Sequence, residues 1–328
     1  MFARHETFHP RYGWVKKAYD AAAEDPNLFN ADEAVVELGV GKNMVRSIRH
    51  WGLAFHVLTT AKETGSRIPL VVPTAIGHIM FADGGWDPYS ELPGTQWLLH
   101  WWLLAPGSIA PVWWLAFNEF PGVEFNDEQL TQFAMDRVRD WDPHPSSVAK
   151  DVSCLLRMYG EGSTSRAGFD DLIDCPSREL RLIVPTPVRG VHRFAIGAKP
   201  TLPPAVAAFA CLDFVARTDP TARTVTVSRL ATEPGGPGRT FKLSEGALVD
   251  LIEDAVQQHD EIELTSAAGV PQLVFHDDPA VVGTELLHDY YQRISGSAKV
   301  PGTVLIAGPA ACAPAQSAAQ LALQGVGG

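Results

Sequence analysis

The segment from residue 31 to residue 53 constrains the fold more than any other, because its pattern is that of a helix-turn-helix. Ala34, Val35 and Leu38 place small and apolar side chains on one face of a first helix. Gly39 follows at the tight turn, where a residue without Cβ is favoured. The sequence therefore predicts two helices that pack at an angle.

The second helix of this segment has one apolar face and one polar face. Val45, Ile48 and Leu53 recur at helical spacing and point toward the first helix. The polar face carries lysine, asparagine and arginine, whose side chains pair with phosphates and with base edges in a major groove. We predict DNA recognition by this face, the alternative being a helical hairpin with a basic solvent face. The outward positions hold Lys42, Asn43, Arg46 and Arg49.

The elements around the helix-turn-helix complete the order of a winged helix. A polar arm and a first helix over residues 11–23 precede it, and two strands between residues 56 and 72 follow it. The arm and the first helix carry further basic side chains that we expect to bind DNA phosphates. These are Arg4, Arg11, Lys16 and Lys17.

The net charge limits the kind of DNA-binding protein that this can be. The 328 residues carry a formal charge of −12, which argues against a protein that coats DNA non-specifically. The basic residues of the first 50 positions nevertheless cluster in the arm, the first helix and the recognition helix. A local basic face on an acidic body is therefore expected.

A tryptophan-rich segment over residues 95–117 resembles a membrane span in composition. Pro106, Gly107 and Pro111 interrupt it, and each apolar part is roughly half the length that crosses a bilayer. We predict two buried helices that supply much of the core, and no membrane association. Their tryptophans are Trp97, Trp101, Trp102, Trp113 and Trp114.

The fold class predicted from the whole chain is α+β, mainly α with small β ribbons. A winged helix-turn-helix domain is expected over residues 1–72 and a helical core domain over residues 73–233. A run of proline and glycine at residues 234–238 is interpreted as a linker or wing tip. A winged-helix-like module over residues 239–307 follows. Within it we predict a helix from Ser244 to residue 259, a hairpin of strands at residues 261–264 and 272–275, and a last helix over residues 280–294. A disordered tail is expected over residues 308–328.

The cysteine pattern and the beginning of the sequence predict a cytoplasmic protein. The four cysteines are far apart and form no CxxC pair, which suits a reducing compartment. The first ten residues are polar and lack the apolar region of a signal peptide.

The arm contains a literal HExxH match at His5, Glu6 and His9. That zinc-protease motif works only on a helix, where both histidines share a face. Pro10 disfavours helical geometry at the residue before it. We therefore interpret the match as part of a polar arm.

Three carboxylates on a glycine-rich loop are the candidate catalytic and metal-binding residues. Asp83, Asp87 and Glu91 offer the hard oxygen ligands that Mg²⁺ or Mn²⁺ prefers. Such an ion could activate water against a phosphodiester. In the alternative, Asp87 caps a turn and Glu91 is a surface residue. The sequence contains no familiar nuclease, Walker A or GxGxxG motif.

Four segments carry a resemblance to a known family, and the resemblance spans roughly residues 2–295. They are RHETFHPRYGWVKKAYDA, VGKNMVRSIRHWGLAF, GWDPYSELPGTQWLLHWWL and SSVAKDVSCLLRMY. They resemble an uncharacterised-domain family found beside bacterial DNA phosphorothioation genes, which includes the DNA-nicking component of the Ssp phage-defence system. The resemblance implies a nickase whose partners are a cysteine desulfurase and an ATP-dependent sulfur-transfer protein.

We therefore predict a metal-dependent nickase that acts on double-stranded DNA. The alternative is a non-catalytic DNA-binding adaptor or transcriptional regulator that recruits the sulfur-transfer enzymes. Because helix-turn-helix proteins often act as two-fold dimers, a homodimer is the candidate assembly.

Overall fold

The protein is described by a computed structural model that covers residues 2–62, 65, 67–106, 108–160 and 175–296. The predicted tail over residues 308–328 lies outside the described residues. So does the part of the predicted C-terminal module from residue 297 onward.

The described chain is mainly helical with small antiparallel sheets, which confirms the predicted α+β class. The helices are α1 (Trp14–Glu24), α2 (Ala34–Glu37), α3 (Lys42–Ala54), α4 (Ala75–Phe81), α5 (Pro93–Leu103), α6 (Pro111–Trp114), α7 (Asp127–Arg137), α8 (Pro145–Tyr159), α9 (Pro204–Thr218), α10 (Val227–Thr232), α11 (Pro237–Thr240), α12 (Glu245–Val256) and α13 (Pro279–Ser295). The strands are β1 (Leu58–Ala61), β2 (Leu70–Pro73), β3 (Glu124–Phe125), β4 (Ile183–Pro185), β5 (His192–Phe194), β6 (Thr224–Thr226), β7 (Ile262–Ala267) and β8 (Val270–Phe275).

The strands form one local hairpin and two small sheets that also join strands distant in sequence. β1 and β2 form an antiparallel hairpin in which Leu58 lies opposite Pro73. The other described sheets have the strand orders β3-β5-β4 and β6-β8-β7. The β7–β8 hairpin was predicted from the sequence, whereas β6, which pairs along β8, was not.

The N-terminal elements follow the predicted order of helix, helix, helix and ribbon. The helix before the turn is short, because α2 has only four residues. A small cluster of buried side chains joins α1, α2 and α3, and Lys17 Nζ on α1 donates to the carbonyl oxygen of Leu38 at 2.9 Å. The cluster consists of Ala21, Ala34, Leu38 and Val45.

The tryptophan-rich segment lies at the centre of the core, as predicted. Trp97, Trp101, Trp102 and Trp113 are at most 2% exposed, and Trp114 is half-buried. The second helix of this segment begins as α6 and continues as a π-helical turn over Leu115–Glu119. Within the described residues, no helix has the length and apolarity needed to span a bilayer.

The proline–glycine run over residues 234–238 is not an exposed linker. Residues 235–238 are buried, and Pro237 begins α11, a position where a helix tolerates proline. A Cβ on Gly238 would lie 2.4 Å from the carbonyl oxygen of Ala231. The glycine therefore permits close packing of backbone, and one continuous core extends from α1 to α13.

The last helix packs against the middle of the chain. The hydroxyls of Tyr291 and Thr95 are 2.9 Å apart, and the Trp86 ring stacks on the Tyr291 ring at 4.7 Å. A Cβ on Gly94 would lie 2.6 Å from Tyr290 Oη. The N-terminal end of α5 therefore packs closely against α13.

Candidate nucleic-acid interface

Helix α3 presents the predicted cationic face to solvent. Lys42, Asn43 and Arg46 are exposed, and Arg49 is half-buried. The opposite face is anchored by Ile48 and other core residues that are fully buried. The first turn of α3 carries no acidic side chain, so its free amide groups keep their attraction for an anion.

The N-terminal arm folds against α3 and α8. His5 Nε2 and the backbone amide of Ala3 each lie 2.8 Å from Asp151 Oδ1 on α8. On the other side of the arm, Trp51 Nε1 donates to the carbonyl oxygen of Phe8 at 3.0 Å. These bonds fix the arm next to α3.

The HExxH match is not on a helix. Glu6 and Thr7 have φ values of 49° and 68°, which no right-handed helix contains. His5 and His9 are buried, and His5 is used by the contact with Asp151. The interpretation of this motif as part of a polar arm agrees with the geometry.

The arm and α3 together form a cleft that encloses about 790 Å³. We call it the arginine cleft. Three guanidinium groups line it from two directions, since Arg4 comes from the arm and Arg46 and Arg49 come from α3. The remaining wall includes Glu6, His50, Ser108, Ile109, Pro111 and Trp141.

The charges of the arginine cleft favour an anion. Arg46 Nη1 lies 3.3 Å from Glu6 Oε1, so one carboxylate faces three guanidinium groups. Burial and the neighbouring Arg4 lower the pKa of Arg49. Burial, followed by the charges of His5, Arg4 and Arg49, lowers the pKa of His50 to about 3. A bound phosphate would relieve the repulsion among the arginines.

The structure separates Arg11 and the lysines of α1 from this cleft, whose lining includes none of them. Lys16 Nζ lies 2.5 Å from Asp20 Oδ1, and Arg11 lies 5.6 Å from the centre of the Trp14 ring. Lys16 and Lys17 line another cleft of about 710 Å³, whose carboxylates would repel a phosphate. Those carboxylates belong to Asp20, Glu24, Asp25, Glu33 and Glu37.

The acidic loop does not gather its three carboxylates. Asp87 is buried, and its Oδ1 and Oδ2 accept hydrogen bonds from the amides of Glu91 at 3.0 Å and Leu92 at 2.9 Å. Leu92 is the N-cap of α5, so Asp87 caps the turn that leads into that helix. Asp83 and Glu91 are exposed. In the described part of the chain, no group of three or more His, Cys, Asp or Glu side chains is arranged to hold a metal ion.

Sequence reasoning missed the aromatic wall of the arginine cleft. Trp141 is 62% exposed and Ile109 is 44% exposed. A tryptophan within the polar stretch RVRDWDPH was the available signal, because an apolar ring in such a stretch has little core to enter.

The comparisons with known proteins give the family. The chain matches the model of the family described as "Protein of unknown function (DUF4007)" over residues 2–291. The chain belongs to the DUF4007 family. It is similar to a crystal structure of SspB at 40% identity and a TM-score of 0.83, covering 89% of this chain and 88% of that chain. It is also similar to a magnesium ion-bound crystal structure of SspB at 39% identity and a TM-score of 0.84, covering 91% of each chain.

These similarities confirm the resemblance seen in the sequence, so this DUF4007 chain is of the SspB type. No curated protein matches it. The three carboxylates of the predicted metal loop are not gathered into one group in the described structure. The carboxylate of Asp87 already accepts two backbone hydrogen bonds, and Asp83 and Glu91 do not join it in a donor set.

Proposed function

We propose that this protein binds double-stranded DNA through α3 and the arginine cleft and nicks one strand during DNA phosphorothioation. Similarity to SspB across most of both chains supports a role in the Ssp system. The observation that carries the DNA-binding part is the convergence of Arg4 from the arm with Arg46 and Arg49 from α3.

In this proposal α3 reads the major groove while the arm holds a phosphate. Lys42 and Asn43 stand at the exposed N-terminal end of α3, the end that recognition helices direct at base edges. The arginine cleft lies farther along the helix and receives the sugar–phosphate backbone. Backbone contacts fix the register of a protein on its site, and base contacts supply the sequence preference.

The nick has a chemical purpose in this system. Replacing a non-bridging phosphate oxygen by sulfur requires access to the backbone, and hydrolysis of one phosphodiester provides it. A cysteine desulfurase and an ATP-dependent sulfur-transfer protein are the proposed partners, and a homodimer on a two-fold DNA site is the proposed assembly. The metal loop of Asp83, Asp87 and Glu91 stays a sequence prediction.

A plasmid assay tests the proposal. Purified protein is incubated with supercoiled plasmid in Mg²⁺, in Mn²⁺ and in EDTA, and the products are separated on a gel. We expect conversion to open circle without linear product. The variant Arg46→Gln should slow the conversion, while Arg293→Gln on α13, outside the arginine cleft, should not. Activity in Asp83→Asn and Glu91→Gln equal to that of the unchanged protein would refute the metal loop.

A non-catalytic adaptor is the second candidate. It is favoured by the two backbone hydrogen bonds that Asp87 accepts, since these give the central carboxylate of the predicted metal loop a structural role. An adaptor would bind DNA in EDTA and leave the plasmid supercoiled under every condition. That result would refute the nickase and retain the DNA interface.

A further inference from the structure

A second cleft adjoins the arginine cleft on the other side of Trp141. It encloses about 530 Å³, and we call it the apolar cleft. Trp141, Ser108 and Pro111 line both clefts, so the two are neighbours that share a wall. The apolar cleft continues from Trp141 to Trp114 and Leu115.

The two clefts differ in chemistry. The arginine cleft has three guanidinium groups, whereas most of the residues that line the apolar cleft are aromatic, aliphatic or proline. The charged side chains of the apolar cleft face each other, since Arg137 Nη1 lies 3.6 Å from Glu119 Oε2. Glu119 Oε1 also accepts a hydrogen bond from Trp114 Nε1 at 3.0 Å. A site with three guanidinium groups therefore lies beside a largely apolar one whose two charged side chains are paired.

Trp141 is held in place although it is exposed. It ends a single 3-10 turn over Arg139–Trp141, and Asp142 follows with φ of 46°. The Phe2 ring of the arm lies 6.2 Å from the Trp141 ring. A tryptophan ring that is 62% exposed and lies beside arginines has the chemistry of a platform on which a base stacks.

His50 adds a polar group to the wall of the arginine cleft. It is 7% exposed, and its Nε2 has no hydrogen-bond partner among the described residues. A buried ring nitrogen without a partner is costly in a folded protein. His50 lines the arginine cleft, so its ring lies close to any ligand that binds there.

We propose that the two clefts together bind one unstacked nucleotide of a DNA strand. Its phosphate lies on Arg4, Arg46 and Arg49, and its base lies in the apolar cleft against Trp141. This inference rests on the proposed function, because α3 is what brings the duplex to the clefts. The substrate class is duplex DNA with an extrahelical nucleotide, the form that many enzymes acting within a duplex create by flipping.

The volume and the cost of flipping both agree with this substrate. The apolar cleft is within the size range of small-ligand sites, roughly 300–1,000 Å³. The free energy that unstacking a paired base requires is similar to the free energy that stacking on an aromatic side chain returns. A nucleotide that is already unpaired avoids this cost, so it should bind more tightly than a paired one.

Fluorescence anisotropy with three labelled duplexes of about two helical turns tests the inference. The first is fully paired, the second contains one extra unpaired thymidine, and the third contains one extra abasic nucleotide. We expect the full-length protein to bind the thymidine bulge about tenfold more tightly than the paired duplex. The abasic bulge should bind like the paired duplex, because it has no base to stack.

Variants separate the base site from the phosphate site. Trp141→Ala should remove the preference for the thymidine bulge, and Trp141→Phe, which keeps an aromatic ring, should retain most of it. Because Trp141 is exposed, neither variant should unfold the protein, which its melting temperature checks. Tyr89→Ala removes an aromatic side chain that is 66% exposed outside both clefts, and it should leave the preference unchanged.

The outcomes distinguish this inference from the proposed function. Equal binding of the three duplexes, or equal preference for the thymidine and abasic bulges, overturns the base site and leaves duplex binding standing. A preference that survives Trp141→Ala also overturns it. Failure to bind the paired duplex together with binding of the bulge overturns the proposed docking of duplex by α3. Failure to bind any of the three overturns both.

Discussion

The contribution of Arg46 to DNA binding can be measured through its dependence on salt. Arg4, Lys42, Arg46 and Arg49 are the cations that the structure places on α3 or in the arginine cleft. If each neutralises one phosphate, the slope of log K against log salt concentration is about −3.6. Affinity then falls about 150-fold when salt rises from about 50 to 200 mM.

Replacing Arg46 by Gln should remove one of these contacts. The slope should become about −2.7, and the same increase in salt should lower the affinity only about 40-fold. The Arg46 side chain is 56% exposed, so its loss leaves the core intact. A slope that stays at the value of the unchanged protein would refute the placement of a phosphate in the arginine cleft.

Glu6→Gln should change the DNA affinity in the opposite direction to Arg46→Gln. The Glu6 carboxylate lies 3.3 Å from Arg46 Nη1 and competes with a phosphate for it. A partly exposed ion pair is worth about 0–1 kcal/mol, so releasing Arg46 should raise DNA affinity by up to about fivefold. Anisotropy titrations of a paired duplex at four salt concentrations measure both variants, with Arg293→Gln as the charge control.

Three further predictions concern the stability of the fold. Asp87→Asn should lower the unfolding free energy by about 1–2 kcal/mol, because an amide cannot accept both backbone hydrogen bonds of the carboxylate. Glu91→Gln, which changes an exposed side chain, should alter it by less than about 0.5 kcal/mol, and urea unfolding that ranks the two variants the other way would contradict the capping role. Gly77→Ala should cost about 2 kcal/mol or more, since its Cβ would lie 2.1 Å from a backbone carbonyl oxygen, whereas Gly246→Ala meets open space on α12 and should stabilise by about 0.5–1 kcal/mol. Equal urea midpoints for these two variants would show that the close approach is absent. Burial lowers the pKa of His100 from 6.5 to about 4, so the folded state favours the neutral form of this side chain. Above pH 6.5 the side chain is neutral in both states, and it does not lower the unfolding free energy. As the pH falls from 6.5 toward 4, the unfolding free energy should decrease, by on the order of 2 kcal/mol at pH 5. A urea midpoint that does not change between pH 7 and pH 5 would contradict this prediction.

Much of the fold could be predicted because its elements carry local signals. Ser244 accepts a hydrogen bond from the amide of Ala247 and begins α12 where the sequence predicted it. The tryptophan-rich helices were found because apolar runs broken by proline have a restricted choice of structure. These signals depend on neighbours in sequence, and they are therefore readable without a structure.

The errors and omissions came from contacts between distant residues. β6 has three residues, and its pairing with β8 joins positions that are far apart in sequence. The proline–glycine run at residues 234–238 was interpreted as a linker or wing tip, because proline and glycine mark turns and close backbone packing alike. No local pattern shows that Ala231 lies against it.

In the candidate site, too, the features with a local sequence signal were predicted and those that depend on distant contacts were not. The outward face of α3 was predicted from helical spacing, because that spacing fixes which side chains share a face. The approach of Arg4 to this face depends on the arm folding back, which the sequence does not show. Asp87 had two interpretations, and two hydrogen bonds to backbone amides identify a capping role.

The bond between the arm and α8 bears on how the protein is made. A span of 148 positions separates Ala3, whose amide binds Asp151, from its partner. Because synthesis proceeds from the N-terminus, α3 leaves the ribosome long before the carboxylate that holds the arm beside it. Until α8 is made, the arm is held beside α3 only by contacts such as the Trp51–Phe8 hydrogen bond and the Arg46–Glu6 ion pair, and the arginine cleft reaches its full set of contacts late in translation.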